Sequence, residues 1–398
     1  MIKTFLNPED RNFDVKRNII KHCIAEGSVS IAEFGKEMGI SFPTVTKIVS
    51  ELIAEGYLQD DGKMGTSGGR RPNAYGLNPE AGYFVGIDVA RQHFHIAVMN
   101  FKGEIVSFIQ DIEFVLKANA ESFRAMSTRV KDEVAAAGID WEKVIGAGVS
   151  LSGRVNPELG YSLTYSVSDD LPLNELFEKE LHVPVIIEND SRAMAYGEYM
   201  ALGKAADKNT VVVNLSWGLG MGMILNGDLY YGKSGFSGEI GHFPVLDNDL
   251  ICRCGKVGCL ETGASGSALH RMLIEELESG RTSSLSKSYK KTGKVELHEI
   301  LDAIEEEDML AIEGIEQVGS TLGRGLAGVI NIFNPGMVII GGRLIVGKDY
   351  LMLPLKTAVN KYSLSKVSQD TKFRFSTLGR KAASVGDCLL CRKKFIQD

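Results

Sequence analysis

The sequence lacks any apolar run near the ~20 residues that a membrane-spanning helix needs, so no helical span is expected. Its start, Met1-Ile2-Lys3-Thr4-Phe5-Leu6-Asn7-Pro8, lacks the apolar core and small-residue cleavage site of a secretory signal. Cysteine is scarce, six in 398 residues, and clustered; a disulfide framework is therefore not expected, and metal binding in a reducing cytoplasm fits better. An excess of basic charge is also missing. The 44 Lys and Arg face 51 Asp and Glu for a net charge of -7, so no overall field draws the molecule onto nucleic acid or an anionic membrane. What remains is ordinary globular composition, 44% hydrophobic and 24% charged, in a chain long enough for two or three domains.

The few cysteines concentrate where a histidine stands. Gly238-Glu239-Ile240-Gly241-His242 runs on to Cys252-Arg253-Cys254-Gly255-Lys256-Val257-Gly258-Cys259-Leu260-Glu261. Thiolate and imidazole are what a tetrahedral zinc prefers, and Gly255 and Gly258 allow a tight loop. The expected ligands are His242, Cys252, Cys254 and Cys259. Glu239 and Glu261 are carboxylates beyond that set, available to a polar ligand together with one edge of His242. Cys388-Leu389-Leu390-Cys391 has C-x-x-C spacing but lies in an apolar helical pattern, and is read as core packing rather than redox chemistry.

The first eighty residues read as three helices and a hairpin. Val15, Ile19, Ile20, Cys23 and Ile24 recur at helical spacing up to Gly27. Ser30-Ile31-Ala32-Glu33 is a capping box opening a second helix that stops at Gly39. Ser41 caps a third, with Pro43 in its first turn, running through Val45, Ile48, Val49, Leu52 and Ile53 to Gly56. Tyr57–Gln59 and Ala74–Leu77 are expected to pair as strands around a wing that carries Arg70 and Arg71. This pattern predicts a winged helix-turn-helix over residues 1–80. Thr44, Thr46, Lys47 and Ser50 would meet base edges and phosphates in a major groove, and Arg70 and Arg71 a phosphate or the adjacent minor groove. Ten basic and eleven acidic residues balance in this stretch, so a DNA-binding charge must be a local stripe; a winged helix used for protein contacts is the alternative.

Beyond residue 80 the pattern becomes α/β. Tyr83–Val89, His95–Asn100 and Glu104–Phe108 read as strands, Ala120–Ala137 as a helix, and Val144–Ser150 as a glycine-rich strand running into Leu151-Ser152-Gly153. Val183–Glu188 delivers Asn189-Asp190 to a helix start. Thr210–Leu215 opens a second half with the turn Ser216-Trp217-Gly218-Leu219-Gly220-Met221-Gly222 and a strand at Met223–Leu225. Residues 281–294, polar and Ser-rich, read as an exposed loop, and Val338–Gly342 as a late strand and turn. Two such halves suggest two related lobes, 81–205 and 206–381, around a cleft, with a C-terminal helix at 382–398 packing back on the first. His93 and His95 flank a strand edge and are expected to be structural rather than ligands, because no Cys or carboxylate cluster joins them.

These motifs together resemble the ROK family, which groups repressors, open reading frames and sugar kinases, and within it the sugar-responsive repressors. The resemblance extends over essentially the whole chain and is carried most specifically by the His242, Cys252, Cys254, Cys259 and Glu261 pattern. It implies a duplicated actin-like and hexokinase-like (ribonuclease H-like) body behind the winged helix, and structural zinc on the His and three Cys. It also implies sugar hydroxyls hydrogen-bonded by Asn189, Asp190, Glu239, His242 and Glu261 under the loop at Gly153. Asp190 matches the catalytic base of the kinases.

The phosphate loops depart from the family's kinases. Backbone N–H groups can approach ATP phosphates only past residues without side chains. The resemblance predicts Asp-x-Gly-Gly-Thr where this chain has Asp88-Val89-Ala90-Arg91-Gln92. It predicts Gly-Thr-Gly-x-Gly-Gly-Gly where this chain has Ser216-Trp217-Gly218-Leu219-Gly220-Met221-Gly222. Kinase activity is therefore not expected, and Asp190 is a vestigial base. Trp217 fills the vacated phosphate space or stacks on a sugar face; Arg91 pairs with Asp88 or receives a phosphorylated sugar. The expected protein is a cytoplasmic, sugar-responsive regulator, a homodimer or homotetramer on double-stranded operator DNA. The alternatives are a sugar kinase with a modified nucleotide site and a regulator controlled by a protein partner.

Overall fold

The structure, a computed structural model, describes residues 10–63, 72–165 and 171–397. It divides into two compact units, residues 1–190 with 383–398, and residues 191–382. Arg70, Arg71 and the rest of the expected wing tip lie outside the described residues.

The first unit begins with α1 (Phe13–Glu26), β1 (Val29–Ser30), α2 (Ile31–Met38), α3 (Phe42–Ala54), β2 (Leu58–Lys63) and β3 (Asn73–Leu77). The capping box forms: the Ser30 hydroxyl accepts the Glu33 N–H at 3.3 Å, and the Glu33 carboxylate accepts the Ser30 N–H at 2.9 Å. Ser41 differs from expectation. It precedes α3, but its hydroxyl pairs with the Thr44 hydroxyl at 2.8 Å and caps no backbone N–H. Strands β2 and β3 pair antiparallel, and β1 adds to β3; a two-residue strand has too little periodicity to be read from sequence. Lys16 of α1, 3% exposed, meets Asp10 at 2.7 Å, Glu51 of α3 at 3.4 Å, and Glu55, just past the end of α3, at 2.5 Å. These carboxylates outweigh the burial that would lower its pKa and hold it above the ordinary lysine value.

The unit continues with β4 (Tyr83–Val89), β5 (His93–Asn100), β6 (Ile105–Glu113), α4 (Ala120–Ala136), β7 (Val144–Leu151), the short pair β8 (Val155–Asn156) and β9 (Tyr161–Ser162), α5 (Leu173–Leu181) and β10 (Val185–Asn189). The sheet order is β10-β7-β4-β5-β6. Strands β4, β7 and β10 are parallel, while β5 is antiparallel to both neighbours. Phe123, Met126, Val130 and Val134 recur at helical spacing on α4 and join the buried cluster with Val85, Ile87, Val149 and Ile187.

The second unit takes α6 (Asp190–Leu202) from its second residue. It then contains β11 (Thr210–Leu215), β12 (Leu219–Leu225), β13 (Asp228–Leu229), α7 (Gly266–Glu278), α8 (Ser286–Thr292), α9 (Leu297–Glu305), α10 (Met309–Phe333), β14 (Met337–Gly341), α11 (Lys348–Tyr362), α12 (Ser365–Asp370) and β15 (Lys372–Phe375). Its sheet order, β13-β12-β11-β14-β15, repeats that of the first unit: a central strand, an antiparallel pair to one side and two parallel strands to the other. The loop expected at 281–294 contains α8 instead. Leu285 is buried and Tyr289, four residues on, packs against the same core, which anchors one face of a polar helix. The glycine-rich stretch also differs: only Ser216, Trp217 and Gly218 form the turn, and Leu219–Gly222 already pair in β12. Glu198 of α6 is fully buried and satisfied. It accepts from Ser376 Oγ at 2.5 Å, Thr377 N at 3.1 Å and Leu378 N at 3.0 Å.

The last helix, α13 (Ala382–Arg392), belongs to the first unit from Ala383 onward. It lies so close to β4 and β7 that a Cβ on Gly86 would overlap the Ser384 carbonyl, and one on Gly148 the Asp387 carbonyl. Cys388 and Cys391 are buried there, with Cys388 Sγ 3.4 Å from the Phe84 and Ala97 carbonyls. Gly86→Ala should therefore destabilise the protein by about 2–3 kcal/mol, the upper range for an overpacked core. The check is the denaturant midpoint at unchanged slope.

Candidate functional site

In the first unit, the carboxyl ends of the parallel strands collect polar groups, the edge at which open α/β sheets bind ligands. β4 ends at Asp88-Val89, β7 runs into Ser152-Gly153, and β10 ends at Asn189 with Asp190 opening α6. Asn189 Nδ2 donates to the Gly153 carbonyl and to Asp190 Oδ1, each at 2.9 Å. Gly153, Asn189 and Asp190 are thus one connected group. Gly153 has φ +92, and a side chain there would meet Thr164. Asp88 lies 3.5 Å from Ser150 Oγ. Burial, with the Asp190 charge second, pushes its pKa up to about 7.

The second unit holds the other expected residues. His242, Cys252, Cys254 and Cys259 each present a ligand atom within 4.8 Å of the others. Cys252 Sγ is 3.6 Å from His242 Nδ1, and Cys254 Sγ is 3.6 Å from Cys259 Sγ. A tetrahedron with Zn–S bonds of about 2.3 Å has edges of about 3.8 Å, so the spacing suits an ion; it is far from the ~2.05 Å of a disulfide. A tight turn makes this possible, with Gly255 N bonded to the Cys252 carbonyl at 2.8 Å and Cys252 N to the Lys256 carbonyl at 2.7 Å. Burial and the neighbouring thiols push Cys259 up to about 12, and burial raises Cys252 too. Cys254 shifts the other way: burial opposes it, but the Lys256 amide and adjacent thiols outweigh that. Ionising the three together calls for a cation.

His242 presents its other nitrogen, Nε2, to Glu239 at 3.7 Å, the carboxylate–imidazole arrangement that orients metal-binding histidines. Glu261 accepts the Leu219 N–H at 2.9 Å on one carboxylate oxygen. Gly241 keeps this approach open, because a Cβ there would meet the Leu219 carbonyl.

The glycines that remain where the family's kinases have a phosphate loop have packing roles. A Cβ on Gly220 would overlap Ser191, one on Gly222 would overlap Ala195, and one on Gly218 would press on Glu261 at 2.9 Å. Trp217 rests against His270 with ring centroids 5.7 Å apart, and Arg91 is exposed on the turn between β4 and β5.

On α3, Thr44, Lys47 and Ser50 are exposed and Thr46 is half-buried. Thr46 and Ser50 donate back to the Phe42 and Thr46 carbonyls at 2.8 Å, so as placed they offer outside partners lone pairs rather than protons. The histidine pair needs a correction: a carboxylate does join it. A bulge in β6 brings Asp111, at φ +56, beside His93 and His95. His95 Nδ1 accepts the Asp111 N–H at 3.0 Å. That fixes the neutral ring's proton on Nε2 and leaves His95 no ring lone pair for an ion. Sequence reading missed Asp387, which is fully buried with its Oδ2 2.7 Å from Ser150 Oγ; an Asp in an otherwise apolar helix was the only available signal.

The ROK family model matches residues 84–394. A putative xylose repressor from Caldicellulosiruptor sp. (strain Rt8B.4) is 29% identical over 374 residues, 92% of each chain. A glucokinase from Halalkalibacterium halodurans is 30% identical over 321 residues, 78% of this chain and 96% of that one. Among solved structures, a ROK family transcriptional regulator, a homolog of the E. coli MLC protein, superposes with a TM-score of 0.77 at 27% identity, covering 96% of both chains.

The Asp88 environment has a stability consequence. A folded pKa raised from 3.8 to about 7 contributes stability below the unfolded value that is lost as pH rises through the folded one. Asp88→Asn should therefore gain stability relative to the parent between about pH 4 and 7 and add no further gain above that window. Urea unfolding of both proteins across this range measures the difference.

Proposed function

The chain belongs to the ROK family, and on that premise we propose that it is a sugar-responsive transcriptional repressor of carbohydrate-utilisation genes. The observation that carries this reading is the set of three helices and antiparallel sheet over residues 13–77, ahead of the family-matched region that begins at residue 84. In this reading residues 1–80 are a winged helix-turn-helix. Thr44, Thr46, Lys47 and Ser50 of α3, with Arg70 and Arg71, contact double-stranded operator DNA. Lys47, with 74% of its side chain exposed, contributes a phosphate contact.

Residues 81–205 and 206–381 are the two lobes of an actin-like, hexokinase-like body. Gly153, Asn189, Asp190, Glu239, His242 and Glu261 recognise the sugar or sugar derivative. A site built to pair with hydroxyls rejects ligands lacking one, because the protein's own polar group is then left unpaired. Structural Zn²⁺ is held by His242, Cys252, Cys254 and Cys259, and it supplies a fixed cross-link that keeps Glu239 and Glu261 in place. Asp190 has no phosphate donor to work with. The roles of Gly218, Gly220 and Gly222 in packing support this, since their retention does not require a phosphate cradle. Sugar binding favours one conformation over another and lowers operator affinity, which requires different affinities for the two states. A palindromic operator calls for a homodimer or homotetramer, and a regulator of genes works in the cytoplasm. No described helix is long and apolar enough to cross a membrane.

A second reading, a sugar kinase with a modified nucleotide site, is favoured by the 30% identity to the glucokinase. Control by a protein partner in place of a sugar is a further form of the regulator.

Two outcomes are expected. Sequencing of fragmented genomic DNA captured by the full-length protein should recover a few palindromic sites, released by one member of a sugar panel. Enrichment no greater than with a Lys47→Ala, Arg70→Ala, Arg71→Ala control would reject DNA binding, and ATP-dependent phosphorylation of any sugar would establish the kinase. Elemental mass spectrometry should find about one zinc per chain, lost in Cys259→Ser together with a lower thermal midpoint.

A further inference from the structure

Asp387 sits where the fold has least room for a charge. Its side chain is fully buried, on a helix whose backbone touches the sheet through Gly86 and Gly148. The groups around it are mostly acidic. Asp88 lies on β4 and Glu188 on β10; Asp190, at the start of α6, bears on Asp88. His95 is the register partner of Asp88 on β5. On α13 itself are Cys388, Cys391 and Arg392, the last placed against Gly103. Its close hydrogen-bonding partner among the described residues is Ser150, fully buried on β7, with its hydroxyl 2.7 Å from Asp387 Oδ2 and 3.5 Å from Asp88 Oδ1.

A serine hydroxyl has one proton to give. Between two carboxylates it satisfies one and leaves a bare oxygen–oxygen contact with the other. A second proton resolves this. If Asp387 is a carboxylic acid, it donates to Ser150 Oγ, and Ser150 donates to Asp88. The remaining oxygen, Asp387 Oδ1, is buried without a hydrogen-bond partner among the described residues. As the carbonyl of a neutral acid it costs little; as half of a carboxylate it would be a desolvated charge. Burial first, then the Asp88 and Glu188 charges, hold the Asp387 pKa well above the ordinary range, against the hydrogen bonds from the Ser150 hydroxyl and backbone N–H.

We propose that Asp387 is a resident neutral acid whose proton latches the C-terminal helix α13 to the sheet of the first unit, so that docking of this helix is proton-dependent. The latch does not rest on the sugar or DNA reading. Loss of the proton leaves Asp387 a buried charge with one oxygen, Oδ1, unpartnered among the described residues, and water for that oxygen is reached by lifting α13. The docked pKa exceeds the undocked one, near 3.9. Docking is therefore complete in strength below that value and weakens as pH rises toward the docked value.

Cys388 and Cys391, both buried on the same helix, report its opening. The full-length protein and Asp387→Asn are exposed to an alkylating reagent across a pH series, and peptide mass spectrometry follows both thiols. The two proteins share the same thiol chemistry, so the ratio of their labelling rates isolates the latch. The ratio of parent to variant should rise with pH by up to about tenfold per unit, the limit for one proton; a flat ratio overturns the proposal. A second measurement compares infrared spectra. At about pH 6, two units above the ordinary carboxylate value, the parent should show a protonated-carboxyl stretch that Asp387→Asn lacks; identical bands in the two proteins equally overturn it.

Discussion

The close seat of α13 on β4 and β7 is the contact on which the first unit depends. Helix and sheet backbones touch through Gly86 and Gly148, so no side chain intervenes, and the contact tolerates neither added volume nor a misplaced strand. It also fixes the carboxyl ends of β4 and β7, from which Asp88 and the Ser152-Gly153 loop project. The same principle works in the second unit. There α6 is drawn onto β12 at Gly220 and Gly222, and the buried Glu198 near its end gathers the donors that follow β15. In both units glycine sets the distance between layers, and buried polar side chains settle the loops between them.

This changes how a glycine-rich stretch should be weighed. Ser216–Gly222 resembles a phosphate loop in composition, yet Leu219–Gly222 belong to a paired strand and the glycines answer to Ser191, Ala195 and Glu261. The polar positions attributed to sugar recognition are a different matter. Asn189 spans Gly153 and Asp190 by hydrogen bonds, and Glu239 backs the imidazole of His242. Such connected groups hold their orientation before any ligand arrives, which lowers the ordering cost of binding.

Much of the architecture could be read from local signals. The Ser30–Glu33 capping box, the strand that delivers Asn189-Asp190 and the spacing of His242 with the three cysteines each express their structure within a few residues, where chain geometry leaves little choice. What escaped were features made by distant pairing. Val29–Ser30 is a strand only because β3 lies beside it. Residues 286–292 are helical although polar, because Leu285 and Tyr289 find a core. Asp111 reaches the histidines through a bulge, and Asp387 meets Ser150 across 237 positions of sequence. The wing arginines had a composition signal but lie outside the described residues.

The return of residues 383–397 to the first unit has a consequence for synthesis. The second unit is one continuous stretch, 191–382, and its sheet can close as soon as that stretch has left the ribosome. The first unit begins earlier but must wait for α13, so the glycine floor of β4 and β7 stays uncovered while the whole second unit is translated. A ribosome that stops short of α13 leaves its damage in strands made before the second unit was begun.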